Sequence, residues 1–275
     1  MSQRPLRVLS LHGYRQDGAS FREKTGALRK LLKKQVELVY MTAPHHVTRV
    51  CSAGGATGGG SGPVSGSGGP SGPGAEGGGS GGPDPRGWWF SDVEGRSFSA
   101  QQRCAESLGL EESLAAVRAA GEELGPFDGV LGFSQGAALV AVLCALQERD
   151  PDPPLRVRFA VLVAGFRSAC DGHRGFYGAP LGVPPLGVPP LGVPPLGVPP
   201  LGVPPLGVPP LGVPPLGVPS LHVFGLDDRV IPDAMSRELL PLFREPAVME
   251  HPGGHFVPAS STHRRTYQDF LSRFL

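Results

Sequence analysis

The sequence predicts an α/β fold on a mostly parallel, doubly wound sheet. Strand-length apolar runs alternate with helical patterns along the chain, as β-α-β connections require. The run Phe159–Ala164 is apolar without interruption, which suits a central strand covered on both faces. The segment Gly136–Gln147 is apolar nearly all round a helix, so it is buried on several sides.

Taken in order, Leu6–Leu11 alternates and reads as a strand ending in the loop signal His12-Gly13-Tyr14. A helix is expected from Ser20 to about Lys34. Ser20-Phe21-Arg22-Glu23 matches a capping box, and Leu28, Leu31 and Leu32 form the buried face. The cationic residues from Lys24 to Lys34 read as its solvated side. Val36–Met41 is a second strand. A helix follows from about Ser107 to Leu124, with apolar residues at three- and four-residue spacing, and Gly125-Pro126 stops it. Phe127–Phe133 is a strand leading into Ser134 and the buried helix. Downstream lie a strand at Leu221–Phe224, a helix near Asp233–Leu240, a short strand at Ala247–His251 and a closing helix at Thr262–Phe274.

Two spans break this order. The chain of 275 residues holds 42 glycines and 32 prolines, more than a quarter of its length and in the low-complexity range. They cluster in 53–83, a Gly/Ser/Pro-rich tract, and in 181–220, seven Leu-Gly-Val-Pro-Pro units and a final Leu-Gly-Val-Pro-Ser. Neither span can offset its ordering entropy by apolar burial, and both read as disordered insertions. Pro at two of five positions argues against helix and central strand. A repeat expansion or a faulty gene model accounts for the spans more simply than a functional lid. The remaining roughly 200 residues suit a single domain spanning 1–275 around the two interruptions.

The formal net charge is +1, and no basic stripe points to nucleic acid. The four cysteines form no C-x-x-C pair and no zinc-ligand spacing, so a reducing compartment and no metal are expected. No signal peptide or membrane-spanning run is read. These features suggest a soluble chain of the cytoplasm or nucleus. Nothing in them sets the oligomeric state.

Gly132-Phe133-Ser134-Gln135-Gly136 is a G-x-S-x-G between a strand and a buried helix, the setting of a nucleophile elbow. The glycines leave room where a side chain would strike a neighbouring element. The helix N-terminus favours negative charge at the serine. Asp227-Asp228 follows a later strand, and either carboxylate could orient a histidine. His255, after Gly253-Gly254 and a short strand, can lie over the sheet edge. The histidines His45, His46, His173, His222, His251 and His263 read as surface or satisfied core residues. The order Ser, Asp, His, each at a strand end, is that of the α/β-hydrolases. An oxyanion hole would draw one backbone N–H from Gln135 and one from the His12-Gly13-Tyr14 loop, with Tyr14 the choice. Trp88, Trp89, Phe166 and Phe256 could line an apolar acyl pocket, or pack the core.

These segments resemble the FSH family of serine hydrolases. The resemblance is carried by Phe21-Arg22-Glu23-Lys24-Thr25-Gly26, Arg86-Gly87-Trp88-Trp89-Phe90, Gly125–Ala138, Ser220–Gly225 and Gly253–Phe256. It implies an α/β-hydrolase fold and carboxylic-ester hydrolysis on medium-to-long alkyl or acyl chains. It also implies the triad Ser134, Asp228 and His255, the acid lying four residues before Pro232. No cofactor is implied. Two alternatives stay open: an acyl thioesterase, which the same machinery would serve, and a non-catalytic protein that binds a hydrophobic ligand.

Overall fold

The computed structural model describes residues 4–48, 84–178 and 214–275. The tract 53–83 and the repeat through residue 213 lie outside them. Six parallel strands form the sheet, in the order β2-β1-β5-β6-β7-β8. They are β1 (Leu6–Leu11), β2 (Val36–Met41), β5 (Gly129–Phe133), β6 (Phe159–Val163), β7 (Ser220–Gly225) and β8 (Ala247–His251). Two short strands, β3 (His45–His46) and β4 (Arg86–Gly87), pair antiparallel beside it. Every residue of β5, β6 and β7 is buried, which requires cover on both faces.

The helices supply that cover. The pair α1 (Gly18–Lys24) and α2 (Gly26–Leu32) packs on β2, and α2 meets the closing helix α6 (Ser261–Leu271). From this end of the chain Phe270 and Phe274 pack against Phe159 of β6. Helix α4 (Gln135–Arg149) lies across β1, β5 and β6 and is buried through Ala145, as its apolar composition requires. Helix α3 (Leu110–Leu124) buries Leu110, Leu114 and Val117, and the short α5 (Asp233–Arg237) packs on β7. Among the described residues, no helix is long and apolar enough to cross a membrane.

Three sequence expectations are corrected. The first helix is capped by Asp17, not Ser20. Ser20 N–H donates to Asp17 Oδ1 at 2.6 Å, and Asp17 N–H donates to Ser20 Oγ at 3.0 Å. The helix then breaks at Thr25, whose hydroxyl bonds the Phe21 carbonyl and pairs with Tyr40 Oη at 2.6 Å. Helix α3 starts at Leu110 rather than Ser107, because Gly109 sits in the left-handed region (φ 98°).

The third correction concerns the repeat. Its final unit is ordered and packed: Leu216 and Val218 are buried in the core. Leu216 N–H donates to the Leu242 carbonyl at 2.7 Å, and Gly217 N–H donates to Glu148 at 2.7 Å. Pro219 needs no donor here. Its carbonyl accepts from Ala160 N–H at 2.9 Å, so it leads into β7 through a bond that uses only its acceptor.

Three buried histidines carry a pH consequence. Burial holds His12 and His173 at about 4 and His222 at about 3, so all are neutral in the folded chain. Unfolded, each would titrate near its ordinary 6.5. Between those values the unfolded chain binds more protons, so stability falls as pH drops from 6.5 toward 4. Each histidine contributes up to about 1.4 kcal/mol per pH unit. Urea unfolding measured at intervals from pH 7 to 4.5 is expected to give this decline, and His222→Asn is expected to make it shallower. Equal slopes in the two proteins would contradict the assignment.

Candidate active site

Strand β5 ends at Phe133, Ser134 makes the turn, and α4 begins at Gln135. Ser134 stands at φ 55°, ψ −118°, a backbone strained for any residue but glycine. The turn is held from three directions. Ser134 N–H donates to the Val163 carbonyl at 2.8 Å, and its own carbonyl accepts from Ala137 at 2.9 Å and Ala138 at 3.0 Å. Both glycines of the motif are dictated by space. A Cβ on Gly132 would fall on the Gly136 carbonyl, and one on Gly136 would fall on the Leu11 and His12 carbonyls. These are backbone atoms, which cannot swing aside.

At the C-terminal end of β7 the two aspartates separate. Asp227 is exposed and lies 3.8 Å from Arg229. Asp228 is buried, and its Oδ2 meets His255 Nδ1 at 2.7 Å. Its other oxygen accepts from the Val230 and Ile231 N–H groups, both at 2.9 Å. The carboxylate is thus fully engaged and aims the imidazole. The His255 ring packs on Phe133 with centroids 4.7 Å apart. His255 and Ser134 line one cavity.

The loop after β1 faces the elbow. Buried His12 Nε2 accepts from Ala43 N–H at 2.9 Å, which leaves the proton on Nδ1 to bond the Gly13 carbonyl at 2.8 Å. Gly13 N–H is taken by Gln16 Oε1 at 3.1 Å. Among the described residues, the N–H groups of Tyr14 and Gln135 donate to no protein acceptor. They are the two backbone donors expected for an oxyanion.

The Gln135 side chain ties this region together. Its Oε1 accepts from Trp88 N–H at 2.9 Å, and its Nε2 donates to the Trp89 carbonyl at 2.7 Å. Trp88 in turn donates its indole N–H to the His12 carbonyl at 2.7 Å. One closed set of bonds therefore joins the residue after Ser134 to the loop bearing Tyr14.

The cavity above Ser134 measures about 380 Å³. Its walls are Gly13, Tyr14 and Gln16 from the β1 loop, Phe98–Gln101, and Val230 and Ile231 beside Phe133. The expected aromatic pocket is therefore corrected. Trp88, Trp89 and Phe166 are fully buried and do not line this cavity. Trp89 and Phe166 instead pack against Phe98, at 5.4 and 6.0 Å between centroids, and support that wall from behind. Phe256 lines an adjoining cavity and is half exposed. Sequence reading missed Phe98, Val230 and Ile231. The first lies in an aperiodic loop. The other two lie in the Val-Ile-Pro stretch beside the acid, which alone could have drawn attention to them. Among the described residues, no three His, Cys, Asp or Glu side chains converge as a metal-binding group.

A family model described as "Serine hydrolase (FSH1)" matches residues 1–267. The zebrafish (Danio rerio) protein named Esterase OVCA2 is 54% identical over 275 residues, covering all of both chains. The human protein of that name is 42% identical, covering 99% of this chain and 98% of its own. Among solved structures, maize acyl-protein thioesterase 2 superposes with a TM-score of 0.55 at 16% identity, covering 98% of this chain and 95% of its own. Esterase PE8 gives a TM-score of 0.52 at 18% identity, covering 100% and 95%. These two likenesses establish the α/β-hydrolase fold.

Gln135→Leu keeps the volume of the side chain and strands Trp88 N–H and the Trp89 carbonyl inside the core. It is expected to cost about 2–5 kcal/mol of stability and to lower kcat more than it raises KM. Chemical denaturation together with steady-state ester hydrolysis checks this. A variant as stable and active as wild type would show the tie to be idle.

Proposed function

Because the chain belongs to the FSH1 serine hydrolase family and is a carboxylic ester hydrolase, we propose that it works through an acyl-enzyme on Ser134. His255 takes the Ser134 proton as the hydroxyl oxygen attacks the ester carbonyl. Asp228 holds the imidazole by the 2.7 Å bond to Nδ1 and stabilises the imidazolium that forms. The N–H groups of Tyr14 and Gln135 receive the oxyanion. His255 then protonates the leaving alcohol oxygen, and water, deprotonated by His255, releases the acid.

One observation carries this reading: a buried carboxylate with both oxygens engaged fixes the histidine on the wall of the cavity that also holds a strained, helix-capping serine. A non-catalytic binding protein has no need of such strain. The walls contributed by Phe98, Phe133, Val230 and Ile231 support medium-to-long acyl or alkyl esters as substrates.

The test is hydrolysis of p-nitrophenyl esters of increasing chain length by wild type and Ser134→Ala. The variant is expected to lose about three orders of magnitude or more in kcat, and the longer esters to be preferred. Matched acyl thioesters run alongside distinguish an esterase from a thioesterase. A folded wild type no faster than the variant on every ester would overturn the acyl-enzyme reading and favour the binding protein.

A further inference from the structure

The stretch Phe21-Arg22-Glu23-Lys24-Thr25-Gly26 has no part in the chemistry above, yet it borders the site. A second cavity, of about 470 Å³, adjoins the first and shares Gln16, Phe133 and His255 with it. Its remaining walls are Phe21, Lys24, Phe256 and Val257. Ser134, Gly13 and Tyr14 do not line it.

The segment builds this wall from a helix turn. Phe21 and Lys24 are three residues apart on α1 and so share a face. Phe21 is buried and stacks on Phe133 at 6.0 Å, forming a floor. Thr25 anchors the end of the helix through the Phe21 carbonyl and Tyr40. Lys24 is exposed at the rim. Among the described residues it enters no ion pair, and no carboxylate lines the cavity. The space is thus apolar below and cationic at its edge.

Its position relative to His255 says which limb of a substrate enters. In the proposed reaction the ester carbonyl sits between Ser134 and the N–H groups of Tyr14 and Gln135, in the first cavity. The leaving oxygen must lie against His255 to receive its proton. A cavity lined by His255 but not by Ser134, Gly13 or Tyr14 lies on the leaving-group side.

We propose that this second cavity binds the alcohol limb of the substrate and that Lys24 selects alcohols ending in an anion, a carboxylate or a phosphate. The inference rests on the acyl-enzyme reading and names its substrate class. An anion there meets a lysine that enters no ion pair among the described residues, while the methylenes before it lie on Phe21, Phe256 and Val257.

The test uses octanoyl esters of 4-hydroxybutanoate, of its methylamide and of a 4-hydroxybutyl phosphate, with wild type, Lys24→Gln and Lys24→Glu. Wild type is expected to prefer at least one anionic ester over the neutral amide by about fivefold in kcat/KM, the reach of a partly exposed ion pair. Whether carboxylate or phosphate is favoured identifies the anion. The preference is expected to vanish in Lys24→Gln, invert in Lys24→Glu and shrink as salt is raised. A half-ester of a dicarboxylic acid, carrying its free carboxylate at the end of the acyl chain, is expected to show no dependence on residue 24. Equal rates on charged and neutral alcohols, a preference that survives in Lys24→Gln, or a dependence confined to the acyl-side carboxylate would each overturn the proposal. In those cases Ser134-dependent hydrolysis of the amide ester would leave the esterase mechanism standing. Hydrolysis unchanged in Ser134→Ala would instead remove the mechanism, and this inference with it.

Discussion

The first turn of α4 presses its backbone onto the end of β1, with Gly136 against the carbonyls of Leu11 and His12. No side chain separates the two elements at this point. The N-terminus of a buried helix is thereby brought beside the loop that follows the neighbouring strand, and the N–H groups of Gln135 and Tyr14 lie on adjoining pieces of chain. Without that approach the elbow could still form, but the donor from the β1 loop would lie elsewhere. Gly132 serves the same junction from the strand side, and the strain at Ser134 follows from making the reversal in one residue.

Backbone proximity alone would leave the β1 loop free to drift, and buried polar groups hold it. His12 is kept neutral by burial, so it can accept from Ala43 through one nitrogen and donate to Gly13 through the other. A charged imidazole would have two donors and would lose the Ala43 bond. Gln135 and Trp88 close the ring from the other side. In a low-dielectric interior each of these bonds is costly to leave unmade, so the set acts as one rigid piece. The charged part of the site is kept separate from it: Asp228 spends both oxygens on His255 and on the Val230 and Ile231 amides.

The parallel sheet was legible in the sequence because buried parallel strands are continuous apolar runs and α4 has no polar face. Strands β1, β2 and β8 fall where the pattern places them. Helix starts were less legible. Asp17 and Ser20 both have capping chemistry, and only the reciprocal bonds choose between them. In the site, the glycine spacing around Ser134 and the chain order Ser, Asp, His were readable. The choice between Asp227 and Asp228 needed a resemblance to a known family, since adjacent carboxylates differ only in which way the turn points them. For the aromatic residues the sequence left pocket and core both open, for a physical reason. Tryptophans are as suited to a core as to a ligand wall, and here Trp89 and Phe166 pack behind Phe98 while Trp88 packs on His12.

The packed end of the repeat has a further consequence. Leu216-Gly217-Val218-Pro219 seats two side chains in the core and delivers Ser220 to β7, and the seven preceding units carry the same four residues in the same order. Loss or gain of a whole five-residue unit therefore leaves the residues entering β7 unchanged. A tract of this kind can lengthen or shorten over generations without altering the sequence that the fold uses, so its copy number is a neutral variable as far as the sheet is concerned. A change of one or two residues inside the final unit is different, because it would replace the leucine and valine that the core receives. Selection acting through the sheet would thus read the final unit and ignore how many copies precede it.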